Sequence, residues 1–174
     1  MFIIDFFKFC PNCKTKLDKK DNFIFCSNCA FYFYHNPSPT NAVIFYNSKK
    51  EVLLTQRKYP PKENFWDLPG GFAELKENIE KSIKREIKEE LNIDINLKNL
   101  KYLTSTNDKY FFRKINQITL CFIFSYPIKN NEIKKIKTKD DVASIKFFSE
   151  DKIPWEKLAF NGVKKSLRLF FSSF

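Results

Sequence analysis

The chain has 174 residues, with 43% hydrophobic, 29% charged and 17% aromatic residues. That composition fits one globular domain with a small appendage. Three glycines, eight prolines and five cysteines exclude collagen-like, low-complexity and disulfide-dense chains, and the aromatic content argues against disorder. The net charge of +11 would attract polyanions. All but four of the 31 basic residues are lysine, however, and bidentate phosphate recognition favours arginine. Background lysine enrichment and a functional basic surface both remain open.

Met1 to Phe9 is apolar but broken by Asp5 and Lys8, too short and interrupted for a secretory signal. No run approaches the roughly 20 apolar residues of a spanning helix. The expectation is a soluble cytoplasmic protein without a membrane partner.

Residues 1–36 form the first unit. Cys10-Pro11-Asn12-Cys13 and Cys26-Ser27-Asn28-Cys29 are two CxxC pairs separated by a short spacer, with Asp21-Asn22 as its turn. Cys10, Cys13, Cys26 and Cys29 suit a tetrahedral structural Zn²⁺. So small a unit buries little core, so metal binding would supply its folding energy. A structural staple is one use for such a ribbon. Nucleic-acid binding is another, suggested by Lys14, Lys16, Lys19, Lys20 and the segment Phe31 to Tyr34. His35, the only histidine, reads as a linker residue, and Cys121 as a small buried hydrophobe.

After Asn36-Pro37-Ser38-Pro39, residues 37–174 read as a mixed α/β unit. Thr40–Tyr46 and Glu51–Arg57 predict a hairpin around Asn47 to Lys50. Pro60-Pro61 and Pro69-Gly70-Gly71 bracket a loop. Asn78–Leu91 is the clearest helix, because Ile79, Ile83, Ile87 and Leu91 recur every fourth residue. Leu97–Ser105, Ile118–Tyr126 and Ala143–Phe148 predict strands, and Trp155–Phe171 a closing helix.

The helix carries the chemistry. At about 100° per residue, Ile83, Ile87 and Leu91 fall at about 40°, 80° and 120° from Ile79. Glu86, Glu90 and Glu89 fall at about 340°, 20° and 280°, on an arc beside the buried stripe. Carboxylates clustered there repel unless a cation neutralises them, and oxygen ligands select Mg²⁺ or Mn²⁺. An acidic helix taken alone is more often simply solvated. Upstream stands Trp66-Asp67-Leu68-Pro69-Gly70-Gly71-Phe72-Ala73-Glu74-Leu75-Lys76-Glu77.

Gly71, Glu77, Arg85-Glu86, Glu89-Glu90 and Ile93 follow G-x5-E-x7-R-E-U-x-E-E-x-G-U, with U apolar, which resembles the Nudix box over residues 71–93. Residues 40–174 as a whole resemble a Nudix hydrolase. Asn92 stands where the second glycine belongs, at the helix end, and Asn is the next best left-handed residue. Lys76 replaces a glycine that many members carry.

The resemblance implies an α/β/α sandwich around a mixed sheet, preceded by a small zinc ribbon. It implies hydrolysis of a nucleoside diphosphate linked to X by water, assisted by Mg²⁺ or Mn²⁺. By position, Glu86, Glu89 and Glu90 would bind metal, with the Gly71 carbonyl as a further ligand. Arg85 would orient the carboxylates and Glu77 would support the site. Asp140 or Asp141 could supply a remote base, although both also read as solvated loop acids. Ribbon plus box resembles NADH pyrophosphatase and ADP-ribose pyrophosphatase-like proteins, but the SQPWPFP-type signature of the former is absent from Tyr102–Tyr110. Relatives that cleave FAD also carry a ribbon. Arg57, Trp66, Phe72 and Tyr110 are substrate-contact candidates, each with an alternative packing role. Capped RNA or a nucleoside triphosphate as substrate, a non-catalytic ligand sensor, and a homodimer are the alternatives carried forward.

Overall fold

The computed structural model describes residues 1–138 and 141–173. A small antiparallel sheet comes first, with strands β1 (Asp18–Lys19), β2 (Phe23–Phe25) and β3 (Tyr32–Tyr34) in that order. Its core is Ile4, Leu17 and Ile24 around the buried Cys10 and Cys26. The chain start ties this unit to the rest: the Met1 carbonyl accepts from the Asn116 amide at 2.8 Å.

The larger sheet has six strands: β4 (Ser38–Tyr46), β5 (Val52–Arg57), β6 (Trp66–Asp67), β7 (Lys101–Phe112), β8 (Ile115–Pro127) and β9 (Val142–Phe148). β4 runs parallel to β8 from Ser38↔Thr119 to Tyr46↔Pro127, whereas β5 pairs along its length with β9. The hairpin read at Thr40–Arg57 is present, yet β4 and β5 share only the register pair Tyr46↔Val52. The two strands then diverge, and the loop after β6 fills the gap: the Asn41 and Val43 amides donate to the Gly71 and Pro69 carbonyls, both at 2.9 Å.

Alternation along β4 makes two cores. Ala42 and Ile44 face helix α3 (Asn161–Ser172) with Leu54, Ile123, Val163, Leu167 and Phe170. Val43 and Phe45 face helix α1 (Ile79–Leu91) with Leu53, Ile83, Ile87, Leu91 and Tyr126. A sheet covered on both sides explains the nearly unbroken apolar runs of β4 and β5, and gives the expected α/β/α arrangement. A short helix, α2 (Asn130–Ile133), follows β8. No helix among the described residues is long and apolar enough to cross a membrane.

Helix α1 starts and stops where its sequence dictates. The Asn78 side chain accepts from the Lys81 amide at 3.0 Å, capping the first turn. Asn92 closes the helix at φ 58°, ψ 28°, its amide bonded to the Lys88 carbonyl. An alanine there would carry its Cβ into the left-handed region, which costs about 1–2 kcal/mol. Asn92→Ala is therefore expected to lose about 1 kcal/mol in urea melts, and Asn92→Gly to lose nothing.

Three boundaries depart from expectation. Leu97–Asn99 is a 3-10 turn capped by the Asn96 side chain, so β7 begins at Lys101. β7 and β8 extend past their expected ends to a tight turn at Arg113 and Lys114, both at positive φ. Neither is a usual residue for that turn, so nothing in the composition announced it. The closing helix begins at Asn161 rather than Trp155. The Ala159 amide donates to the Trp66 carbonyl at 2.8 Å and Leu158 bridges to Trp66, which holds the preceding segment extended.

Candidate active site

Gly70 and Gly71 bring the loop between β6 and α1 against both β4 and the helix. Gly70 lies at φ 139°, and a Cβ there would sit 2.3 Å from the Asn41 carbonyl oxygen. A Cβ on Gly71 would fall 2.6 Å from the Glu86 carboxylate. The missing side chains are thus what lets the Glu86 carboxylate approach the loop. Asn41, 2% exposed, pins the arrangement by donating its Nδ2 to Ser82 Oγ on α1 at 2.8 Å and to the Gly71 carbonyl at 3.3 Å. Neither sequence periodicity nor the box pointed to Asn41.

Arg85 gathers the acids. Its Nε donates to Glu77 Oε1 at 2.8 Å, its Nη1 to Glu86 Oε1 at 2.8 Å and Glu89 Oε2 at 2.9 Å, and its Nη2 to the Phe72 carbonyl at 3.0 Å. These bonds, first those to Glu77, hold the guanidinium firmly protonated, and the same contact holds the Glu77 carboxyl below its ordinary value. Glu86 behaves oppositely. Burial raises its pKa despite Arg85, and Glu89 and Glu77 add to the rise.

Glu90 is the outlier. Its Oε2 accepts from the Gly70 amide at 2.9 Å, and no ion pair among the described residues includes it. Burial pushes its pKa well up, and the charges of Glu86, Asp67 and Asp141 push it further. One arginine therefore serves Glu77, Glu86 and Glu89, while Glu90 faces further acids without a cation. Oxygen donors suit a hard divalent ion, and Glu86, Glu89 and Glu90 are the side chains that would hold it, although among the described residues only the four cysteines bring their ligand atoms within 4.8 Å of one another. The Gly71 carbonyl accepts from both the amide and the Nδ2 of Asn41.

Beside this cluster opens a pocket of about 140 Å³, lined among others by Gly70, Gly71, Phe72, Thr106, Tyr110 and Phe160. Phe72 meets Tyr110 edge-on at 5.4 Å, and Tyr110 stacks on Phe160 at 6.0 Å. Arg57 also lines the pocket, but it is committed: its Nη1 bonds Asp67 Oδ2 at 3.0 Å, its Nε bonds the Pro61 carbonyl at 2.7 Å, and its guanidinium lies 5.4 Å over the Phe160 ring. Trp66 is elsewhere. It packs edge-on to Phe148 at 5.1 Å against the α3-side core, away from Phe72 and Tyr110.

Asp67, Asp108, Thr106 and Phe160 are among the wall residues outside the sequence-predicted set. Asp67 sits next to the box and could have been suspected; burial raises its pKa even beside Arg57. Asp108 Oδ2 accepts from the Gly162 amide at 3.0 Å, fastening the start of α3 to β7. Asp141 lines the pocket and Asp140 lies outside the described residues. Cys121 lines the pocket half-buried, and burial pushes its thiol up to about 12.

The model of the NUDIX domain family matches residues 36–170. The chain belongs to the Nudix family. No curated protein matches it. Among solved structures, a MutT/nudix family protein from Enterococcus faecalis is 30% identical, with TM-score 0.57, covering 67% of this chain and 45% of its own. This chain therefore spans less than half of that relative. A NUDIX hydrolase from Nitrosomonas europaea is 23% identical, with TM-score 0.64, covering 96% and 92%. A bifunctional NMN adenylyltransferase/ADP ribose pyrophosphatase from Francisella tularensis, complexed with AMP and a manganese ion, is 22% identical, with TM-score 0.61, covering 80% and 42%. Helix α1 carries the acidic residues of the Nudix box, Glu86, Glu89 and Glu90.

The four ribbon sulfurs form a second Nudix-independent cluster. All lie within 4.8 Å of one another, with Cys10 and Cys29 Sγ 3.5 Å apart and Cys13 and Cys26 Sγ 3.4 Å apart. A tetrahedron with Zn–S of about 2.3 Å has edges of about 3.8 Å. Both knuckles share one form: the Lys14 amide donates to the Cys10 carbonyl and the Ala30 amide to the Cys26 carbonyl, each at 3.0 Å, and Lys14 and Ala30 both have positive φ.

Proposed function

We propose that this protein hydrolyses the diphosphate of a nucleoside diphosphate linked to X, of the ADP-ribose, NADH or FAD type, using Mg²⁺ or Mn²⁺ held by Glu86, Glu89 and Glu90. The observation that carries this is Glu90, half-buried, outside every ion pair among the described residues and bonded to the amide of Gly70, a wall residue of an aromatic pocket. When bound, a divalent ion there would polarise the diphosphate and lower the pKa of a water. The manganese and AMP in the Francisella tularensis relative agree with that reading.

The chain's own residues would do the rest. Phe72, Tyr110 and Phe160 seat the base, since aromatic faces stack readily on nucleobases. Arg85 fixes the positions of Glu86 and Glu89, and Glu77 holds Arg85. Water oxygen attacks one phosphorus, the bridging P–O bond breaks, and the attacking water's proton passes to an acid of the cluster. The products are a nucleoside monophosphate and a phosphorylated X. Zn²⁺ on the four ribbon thiolates is a structural part of the same proposal.

The purified chain, loaded with Mg²⁺ or Mn²⁺, is expected to release AMP from at least one of ADP-ribose, NADH and FAD. A folded, metal-binding chain that cleaves none of the three would count against this substrate class.

A further inference from the structure

The side of the aromatic pocket that comes from the β7–β8 hairpin is unevenly supported. Thr106, Asp108 and Tyr110 on β7 and Thr119 and Cys121 on β8 alternate along their strands and line it together. β4 pairs with β8 only from Ser38↔Thr119 onward. Ile115 to Ile118, with their β7 partners Lys109 to Phe112, therefore overhang the six-stranded sheet. Of the wall residues just named, only Tyr110, opposite Gln117, stands in the overhang.

The ribbon meets this overhang. Phe2 bridges in parallel to Asn116, and the Asn116 amide donates to the Met1 carbonyl at 2.8 Å. An amide turned outward from an antiparallel pair takes no part in that pair's ladder, so this bond joins ribbon to hairpin and leaves β7–β8 pairing intact. Phe2 is in turn held by the ribbon. Its ring packs on the cluster around Cys10 and Cys26 and lies 5.6 Å from His35, and its amide donates to Asp5 Oδ2 at 2.7 Å. Asp5 pairs with Lys19 of β1. A second tie runs from Gln117 Nε2 to Ser38 Oγ, at the first residue of β4 after the ribbon.

We propose that the ribbon positions Tyr110 in the nucleotide pocket. The Met1-Phe2 segment fixes the overhang, and with it the ring that a base meets. Phe2 and the Asn116 amide are the positioning groups, and zinc occupancy of the ribbon thereby sets nucleotide affinity. This rests on the pyrophosphatase reading above and adds a control on its binding step. Glu86, Glu89 and Glu90 lie on α1, whose core shares no residue with the ribbon cluster, so the chemical step is untouched.

Asn116→Pro removes the donated amide at a position whose N–H serves no β7 bond, where proline is tolerated, and Asn116→Ala keeps it. The zinc-loaded proteins are titrated with AMP in Mg²⁺ by calorimetry, and turnover is followed with whichever of ADP-ribose, NADH and FAD the wild type cleaves. Asn116→Pro is expected to bind AMP about tenfold more weakly, the order of one base-stacking face, and to raise KM with kcat unchanged. Amide exchange should quicken at residues 109–118 while the ribbon keeps its protection and its zinc. Asn116→Ala should match wild type throughout. Zinc-free wild type, stripped by chelator and returned to Mg²⁺, should show the same loss of AMP affinity, which keeps the inference testable if the proline variant misfolds. Unchanged AMP affinity in folded Asn116→Pro or in zinc-free wild type overturns the inference and leaves the pyrophosphatase reading standing. A fall in kcat that accounts for the whole fall in kcat/KM overturns it too, because the loss then lies in the chemistry. If folded wild type binds no AMP, the inference falls, and release of AMP from ADP-ribose, NADH or FAD decides whether the broader reading falls with it.

Discussion

Glu90→Gln should lower kcat about a thousandfold while leaving the metal-free protein at least as stable as wild type. The rate effect follows from removing the one of Glu86, Glu89 and Glu90 that no ion pair among the described residues includes, in the range expected for a group acting directly on the reaction. The stability effect has the opposite sign from most buried substitutions. Burial and the neighbouring Glu86, Asp67 and Asp141 raise the Glu90 pKa in the folded chain above its ordinary value near 4.5. Between the unfolded and folded values the native state then binds more protons than the unfolded state, so stability falls as pH rises through that window. Glutamine has no charge to desolvate and keeps an oxygen that can accept from the Gly70 amide. Wild type minus variant should therefore show a destabilisation of the metal-free wild type that grows from acid to neutral pH. Metal reverses the comparison. An ion at a hundred times its Kd stabilises wild type by about 2.7 kcal/mol, several degrees for a chain of this size, and the variant by much less. Thermal melts with and without Mg²⁺, at acid and neutral pH, read all of this. Equal metal-induced shifts in the two proteins would remove Glu90 from the ion site, and unchanged turnover would remove it from the chemistry.

The box was legible because its residues are local. Helical spacing alone put Glu86, Glu89 and Glu90 beside the buried stripe, and Asn92 at the helix end announced its left-handed backbone. Asn41 and Asp108 were invisible for the converse reason. Asn41 sits in an apolar strand, where one polar residue reads as noise until β4 and β5 diverge and the Gly70-Gly71 loop enters the gap. Asp108 matters because α3 ends its approach on β7, a pairing of residues 54 apart in the chain. Phe160 was hidden in what looked like one long helix, because the contacts that hold the segment extended come from Trp66, far away in sequence. Arg57 and Trp66 show the limit from the other side. Both were carried with a packing alternative: Arg57 lines the pocket while bonded to Asp67 and Pro61, and Trp66 packs half-buried against the α3-side core.

Removing zinc should have a second, separable effect. Cys10 and Cys26 are buried at 0% and 1% exposure in a unit whose remaining core is Ile4, Leu17 and Ile24. So few apolar side chains cannot offset the ordering of about 35 residues at roughly 1–2 kcal/mol each. Four thiolates within 4.8 Å repel without a cation, although the Thr15 side chain and amide hold the Cys13 thiol down to about 5. Zinc binding, worth about 10–16 kcal/mol in small zinc peptides at neutral pH, is large enough to tip that balance. Cys26→Ser, or a strong chelator, is expected to drop bound zinc from one ion per chain towards none. Amide exchange should then become fast across residues 8–34. Helix α1 and strands β4 and β8 should stay protected, because their two cores share no residue with the ribbon cluster. The loss should also loosen the tip of the β7–β8 hairpin, where Met1 and Phe2 join Asn116. A ribbon that keeps its protection without metal would show that its aromatic strands, rather than zinc, hold it together. Turnover that survives a melted ribbon would place the catalytic apparatus wholly in the larger sheet and α1.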